Sequence, residues 1–352
     1  ALNTDDKESL QKISSLHVKQ MSYKILLNGF YGAIANKYFV YFDTRIAEGI
    51  TLSGQTIIKN AEVHTNKFLS KMFKREYDYC YYSDTDSLHI TLGYLVNKVY
   101  SDLSKREISH LLSTICEDVL TPEIKRICSE LGDYLNLYAK EKISFKREFI
   151  ASRGIYTAKK RYCLYVYNSE GVEYDPPKPK ITGLEIVRTN IPKICRNNLK
   201  KSVVICLSEE NDDLIKFIAN FENEWKSLTY FDIATPTGVN NILKYNDSDE
   251  TFMKGTPKHV KAAITYNRLL KQFNFTDREL IKDGDKIKYI HLIEPNPYGN
   301  ETLAFIDSIP DEFDVQKYID YDTMLEKSFL SPLKKITDAM GWKIKQESSL
   351  ED

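Results

Sequence analysis

Long apolar runs, paired cysteines and an excess of charge of either sign are all missing from this sequence. No apolar run is long enough to cross a bilayer. The six cysteines, Cys80, Cys116, Cys128, Cys163, Cys195 and Cys206, form no Cys-x-x-Cys pair, and histidine is sparse. That argues against a zinc ribbon and for reduced thiols in a cytosolic protein, several in core positions. Lys and Arg total 49 against 50 Asp and Glu, a net charge of -1. The whole molecule therefore carries no electrostatic signature of nucleic-acid binding. Any such surface has to come from clusters: Lys159-Lys160-Arg161, Lys178 with Lys180, Lys200-Lys201 and Lys334-Lys335. Internal repeats and low-complexity tracts are absent too. The opening Ala-Leu-Asn-Thr-Asp-Asp-Lys-Glu is polar and mixed in charge, unlike a secretory signal. It has no initiator Met, as in a chain cut or processed there.

What is present is an ordinary globular composition, 42% hydrophobic and 28% charged. The 352 residues suffice for a sizeable core and about two domains. Apolar spacing predicts helices over 16–35, with Val18, Met21, Ile25 and Leu26, and over 45–72, with Ile50, Ile57, Ile58 and Phe68. Tyr79 to Tyr82 and Leu88 to Leu92 read as strands around a turn at Ser83-Asp84-Thr85-Asp86, a hairpin with an acidic tip. Residues 105–138 read as helices with a boundary at Pro122. Alternation returns from Lys142 to Ile150, setting Ile143, Phe145, Arg147 and Phe149 against Lys146 and Glu148. Gly154 to Tyr167 reads as one strand, Asn168-Ser169-Glu170-Gly171 as a hairpin turn and Asp175-Pro176-Pro177-Lys178-Pro179 as an extended connector. Residues 192–230 are expected to be mainly helical, with further helices near 258–272 and 318–340. The class is α+β: an antiparallel sheet with the acidic hairpin and packed helices, then a mostly helical unit beyond residues 180–190.

Two segments carry chemistry. Tyr82-Ser83-Asp84-Thr85-Asp86-Ser87 presents two carboxylates on a rigid turn. Hard Mg²⁺ takes carboxylates and keeps several waters, so a few acids suffice to hold it against phosphate oxygens. Asp, Ser and Thr also build ordinary turns. A paired Asp-x-Asp also serves glycosyltransferases, which hold a metal and a nucleotide diphosphate with it. Upstream, Lys24, Asn28 and Tyr31 fall at i, i+4 and i+7, on one helical face. A Lys there meets nucleotide phosphates, a Tyr offers a flat surface to a base, and Gly32 leaves room for close approach. The bland alternative is a solvated polar stripe.

Together, Lys-x-x-x-Asn-x-x-Tyr-Gly followed downstream by Tyr-x-Asp-Thr-Asp-Ser resembles the fingers-helix and palm-hairpin motifs of family B DNA polymerases, T-even bacteriophage type. Lys159-Lys160-Arg161-Tyr162 resembles the family's Lys-Lys-Arg-Tyr element. Gly183-Leu184-Glu185 with Pro192 looks like the entry to its thumb. Thr265-Tyr266-Asn267-Arg268, Asn296-Pro297-Tyr298-Gly299 and Lys327-Ser328-Phe329 with Pro332-Leu333 are similar to thumb landmarks.

The resemblance implies the second half of the fingers over 1–40, the C-terminal palm over 41–182 and the thumb over 183–352. It implies a DNA-directed DNA polymerase with Asp86, Asp84 and Lys24 as catalytic residues. Asp86 and Glu148 would be metal ligands, and Lys24, Asn28, Tyr31 and Gly32 would bind nucleotide. Thr85, Lys159, Lys160, Arg161 and Tyr162 would meet primer-template DNA. Cofactor and substrate would be two Mg²⁺ ions, shared with a partner carboxylate, and dNTP. The setting would be the cytoplasm of an infected bacterial host.

Two residues depart from the pattern. Gly29 stands where the family usually has Ser, at a cost of about 1 kcal/mol in helix propensity. Asn168 stands where an acid is expected. The first palm motif, Asp-x-x-Ser-Leu-Tyr-Pro, and the exonuclease acids have no counterpart. The expectation is therefore a deliberate fragment, an incomplete gene product or the second piece of a split polymerase, inactive without its N-terminal partner. The polar first fifteen residues would form an exposed terminus. Ser348-Ser349-Leu350-Glu351-Asp352 looks like the start of a sliding-clamp-binding tail without its aromatic residues. The alternative is a non-catalytic module that holds primer-template DNA.

Overall fold

A computed structural model describes residues 7–139, 142–245 and 252–344. The expected clamp tail at Ser348–Asp352 lies outside the described residues, as does the first part of the expected N-terminal extension. Two compact units form, one within 1–104 and 114–147, the other within 105–113 and 148–352.

In the first unit, α1 (Lys7–Ile34) begins well before the expected residue 16. The segment from Lys7 to Ser15 is rich in Leu, Lys, Gln and Glu, which favour helix. α2 (Thr44–Phe73) starts where the Asp43 carboxylate accepts from the Arg45 N–H at 2.9 Å, an N-cap. Its buried stripe, Ile58, Ala61, Thr65 and Leu69, follows the helical repeat and packs toward α5. The hairpin of β1 (Tyr82–Asp84) and β2 (Ser87–His89) pairs Tyr82 with His89 and Asp84 with Ser87. The ladder lies nearer the acids than the sequence implied, and the loop is Thr85-Asp86 alone. The Tyr79 carbonyl still accepts from the Thr91 N–H at 2.8 Å. α3 (Gly93–Val99) is followed by α4 (Lys105–Ile115), whose residues 105–113 count with the second unit, and a π turn at Cys116–Leu120 then leads into α5 (Thr121–Tyr134). Pro122 sits in the first turn of α5, where its missing N–H costs nothing. The buried residues of this unit are few: Leu69, Tyr79 and Leu120 cluster with Phe68, Phe73, Ile90 and Leu92, and Ile127, Cys128 and Leu131 of α5 are buried beside the α2 stripe.

Beyond 105–113, the second unit continues with β3 (Phe149–Ala158), β4 (Arg161–Ser169) and β5 (Val172–Thr182), antiparallel in that order. Three expectations change here. The alternation over 142–150 is real in burial, half-buried at 143, 145, 147 and 149 and exposed between, but the ladder begins only at Phe149. The supposed single strand from Gly154 to Tyr167 is broken by a turn at Lys159-Lys160. No Gly, Pro or Asn marks that turn, because Lys160 itself takes φ +62. The proline-rich connector is strand β5. As an edge strand of the β3-β4-β5 sheet it accommodates prolines that lack the N–H a central strand needs.

Then come α6 (Lys193–Ser208), α7 (Asn211–Trp225), α8 (Tyr230–Ile233), β6 (Thr235–Gly238), α9 (Ile242–Tyr245) and α10 (Lys258–Gln272). β7 (Lys286–His291), β8 (Thr302–Phe305), α11 (Tyr321–Leu325), a π turn at Glu326–Leu330 and α12 (Ser331–Met340) complete it. Strands β6-β7-β8 form a sheet the sequence did not announce. They are short, and β8 is buried throughout, so neither length nor alternation marks them. Pro192 and Pro257 stand at the N-caps of α6 and α10. One core joins Cys163 of β4 to Leu199, Val203 and Cys206 of α6, and to Trp225, Phe305 and Phe329. Phe221 and Phe329 meet edge-on at 4.6 Å, and the Trp225 indole donates to the Tyr321 carbonyl at 2.9 Å. All six cysteines are free thiols. Burial pushes Cys80, Cys163, Cys195 and Cys206 up to about 12, which keeps them inert.

Candidate functional site

The hairpin tip is presented, not buried. Asp84 is half-buried, while Thr85 and Asp86 are exposed. The Asp84 carbonyl accepts from the Asp86 N–H at 2.6 Å and from the Ser87 hydroxyl at 3.2 Å, which closes the turn. Thr85 takes φ +57, unusual for a β-branched residue, and its hydroxyl donates to the Asp84 carboxylate at 3.0 Å. Asp84, at the end of β1, and Asp86, in the two-residue loop, are thus held on a stiff hairpin tip.

That loop has an anchor which sequence reasoning missed. The Asn66 side-chain oxygen, on α2, accepts from the N–H groups of Tyr79 at 2.8 Å and Cys80 at 2.9 Å. Its amide donates to Asp78 at 2.8 Å. One side chain therefore pins the segment that leads into β1. An Asn in an amphipathic helix gives no sequence signal for this.

Lys24, Asn28, Tyr31 and Gly32 lie on α1, all exposed. The helix runs unbroken through them, so the first three share the face their spacing predicted. An added Cβ at Gly29 or Gly32 meets nothing within 4 Å. α1 is apolar on several sides, and its middle is uncovered: Ile25, Leu26 and Leu27 are 66%, 69% and 70% exposed.

The remaining expected residues belong to the second unit. Lys159 and Lys160 form the β3–β4 turn and are exposed with Arg161. Tyr162 is buried and stacked on its cross-strand partner Tyr156 at 5.4 Å, so it does not present the open ring expected. The Glu148 carboxylate pairs with Lys180 at 2.7 Å, and the Lys180 ammonium also lies 4.0 Å from the centre of the Phe149 ring. Asn168 serves the fold itself. Buried, it accepts from the Gly171 N–H at 3.1 Å and caps the β4–β5 turn. Among the described residues no three His, Cys, Asp or Glu side chains converge as a metal-ligand group. Two carboxylates on an exposed loop still suit an oxygen-preferring cation that keeps most of its waters. No described helix is long and apolar enough to cross a membrane.

A helix with a Lys-Asn-Tyr face, an exposed Asp-Thr-Asp hairpin and an exposed Lys159-Lys160 turn stand where the three motifs lie in the sequence. Residues 2–339 match the profile of DNA polymerase family B, and the chain belongs to that family. It is 30% identical over 359 residues to the DNA-directed DNA polymerase of Enterobacteria phage T4, covering 98% of this chain and 40% of that protein. It is 33% identical over 352 residues to the DNA-directed DNA polymerase of Escherichia phage RB69, covering 95% and 38%. A DNA polymerase of Methanocaldococcus jannaschii is 23% identical over 314 residues, 89% of this chain and 16% of that protein. The chain thus spans 40% or less of the length of these relatives.

Proposed function

We propose that this chain is the C-terminal part of a template-directed DNA polymerase, completed by an N-terminal polypeptide that carries the first palm motif. The observation that carries this is α1. A helix that carries large apolar side chains on several sides needs cover along those sides. Each Leu, Ile or Phe it covers contributes roughly 1.5–3 kcal/mol, so leaving Leu16, Ile25, Leu26, Leu27 and Phe30 in water forfeits much of the unit's stability. The acidic tip points the same way, with two carboxylates where a two-metal site needs more.

In this reading residues 1–40 complete the fingers, 41–182 the palm and 183–352 the thumb. Asp86 and Asp84 would hold Mg²⁺ together with an acid from the partner, with Glu148 nearby in role. An ion held by these carboxylates would supply positive charge against the phosphate oxygens and would acidify the primer hydroxyl. Lys24 neutralises the leaving phosphates of the dNTP. Asn28, Tyr31 and Gly32 line the pocket of the new base pair, where Tyr31 tests shape in the minor groove. Lys159 and Lys160 grip the primer-template backbone beside Arg161 and Tyr162, and Thr85 approaches the primer end. A primer-extension assay with the chain alone, the N-terminal piece alone and the two together tests the proposal. Extension only by the pair supports it, and strong extension by the isolated chain contradicts it.

A second reading has one observation in its favour: Lys180 already occupies the Glu148 carboxylate. The chain would then be a module that holds primer-template DNA, with weak sequence preference and strong salt dependence. A reconstituted pair that binds duplex but never incorporates dNTP would establish it.

A further inference from the structure

The basic turn is fastened to the rest of its unit at two adjacent points. The first is Gly183, immediately after β5. It takes φ +64, and a Cβ there would lie 1.9 Å from the Lys160 carbonyl oxygen. The backbone of the turn therefore rests directly on Gly183, and no other residue fits. The second point is Glu185, which opens a short 3-10 turn, Glu185–Val187. One carboxylate oxygen lies 4.0 Å from the Arg161 guanidinium and 4.0 Å from that of Arg188. The other accepts from the Lys335 ammonium at 2.6 Å. Lys335 stands on α12, which packs against β3, α6 and this 3-10 turn. Lys335 above all, with Arg188 and Arg161, holds the Glu185 carboxyl below its usual range.

We propose that Glu185 is a positioning residue for duplex binding: it moors the Lys159-Lys160 turn through Arg161 and locks it to α12 through Lys335. Arg161, exposed but beside Glu185, is then an anchor, and the lysines at the tip make the phosphate contacts. This rests on the assignment of the turn to primer-template DNA. It goes further, because it gives an acid a favourable role on a surface that binds a polyanion. Simple electrostatics assigns Glu185 the opposite role, since removing a carboxylate beside phosphates strengthens attraction.

The opposite signs make the test decisive. The whole chain is titrated with a fluorescently labelled, 3′-recessed primer-template across a salt series. Glu185→Asp keeps the charge and shortens the reach, and Glu185→Gln removes the charge. Mooring predicts that both weaken binding by roughly three- to five-fold, the most an exposed ion-pair network carries, about 1 kcal/mol at five-fold. The slope of log Kd against log salt stays at the wild-type value, since no phosphate contact is lost. Lys159→Ala reduces that slope by about one, as a phosphate contact does. Binding by Glu185→Gln as tight as wild type or tighter overturns the proposal. Amide exchange in the DNA-free chain separates this outcome from failure of the functional assignment. Mooring predicts faster exchange across Ala158–Tyr162 in Glu185→Asp, and unchanged protection there overturns it even if the wild type binds no duplex.

Discussion

His291 is one of the few buried titratable side chains away from the candidate site. Burial, then the nearby Lys327 and Lys258, push it down to about 4, while Glu301 and Asp320 oppose them. Its imidazole lies 3.4 Å from the Lys327 ammonium. The folded form thus resists a proton that the unfolded chain takes near the ordinary value of about 6.5. Above that value both states are neutral and stability is full. As pH falls from about 6.5 to about 4, only the unfolded state gains the proton, and stability drops. The loss attributable to His291 is roughly 2–3 kcal/mol by pH 4. Urea denaturation of His291→Gln against wild type, at pH 7 and pH 5, checks this. The variant should lose less stability on acidification than the wild type does.

Among the elements, the α2-to-β1 passage depends most on one side chain. Asn66→Ala leaves the N–H groups of Tyr79 and Cys80 without their acceptor, and an unmet backbone donor costs about 1–3 kcal/mol. The expected result is a first unit destabilised by ~2–4 kcal/mol in urea denaturation followed by far-ultraviolet circular dichroism, with the second unit unchanged. The same level shows what could be read from sequence. Helical spacing located α2 and α10 closely, because each buries one face, and merged α6 and α7 into one stretch. The Asp-Thr-Asp hairpin and the Asn168 turn were legible from turn chemistry. The break at Lys159-Lys160 was not, because the residue that permits it, Gly183, lies far away in sequence. Strand β5 hid behind its prolines, and β6 to β8 were too short and too buried to show a period. Asn66 and Glu185 were silent for a related reason: their partners are set by tertiary contact, not by spacing.

For the molecule as a whole, the two units are unequal. The second has a continuous core around Trp225, Phe305 and Phe329, whereas the first has a smaller one around Leu69, Tyr79 and Leu120 and the α2–α5 contact. A small core offsets little chain entropy. Equilibrium urea unfolding of the isolated chain should therefore show two transitions, the first lacking any change at Trp225 and Trp342, both of which lie in the second unit. A single coincident transition by circular dichroism and tryptophan fluorescence would contradict it. Addition of the N-terminal polypeptide should raise the first midpoint by mass action and protect the α1 amides from exchange. The net charge of -1 also finds its place at this scale, since duplex binding would be local to the clusters and invisible in the sum.

In the proposed function, Asp84 and Asp86 would complete a metal site with an acid supplied by an N-terminal polypeptide. Primer extension by the reconstituted pair, comparing wild type with Asp86→Ala at saturating dNTP and Mg²⁺, tests it most directly. The expected result is a rate loss of about 10³-fold or more, with primer-template affinity retained. A pair that extends primers at a comparable rate with Asp86→Ala would contradict it.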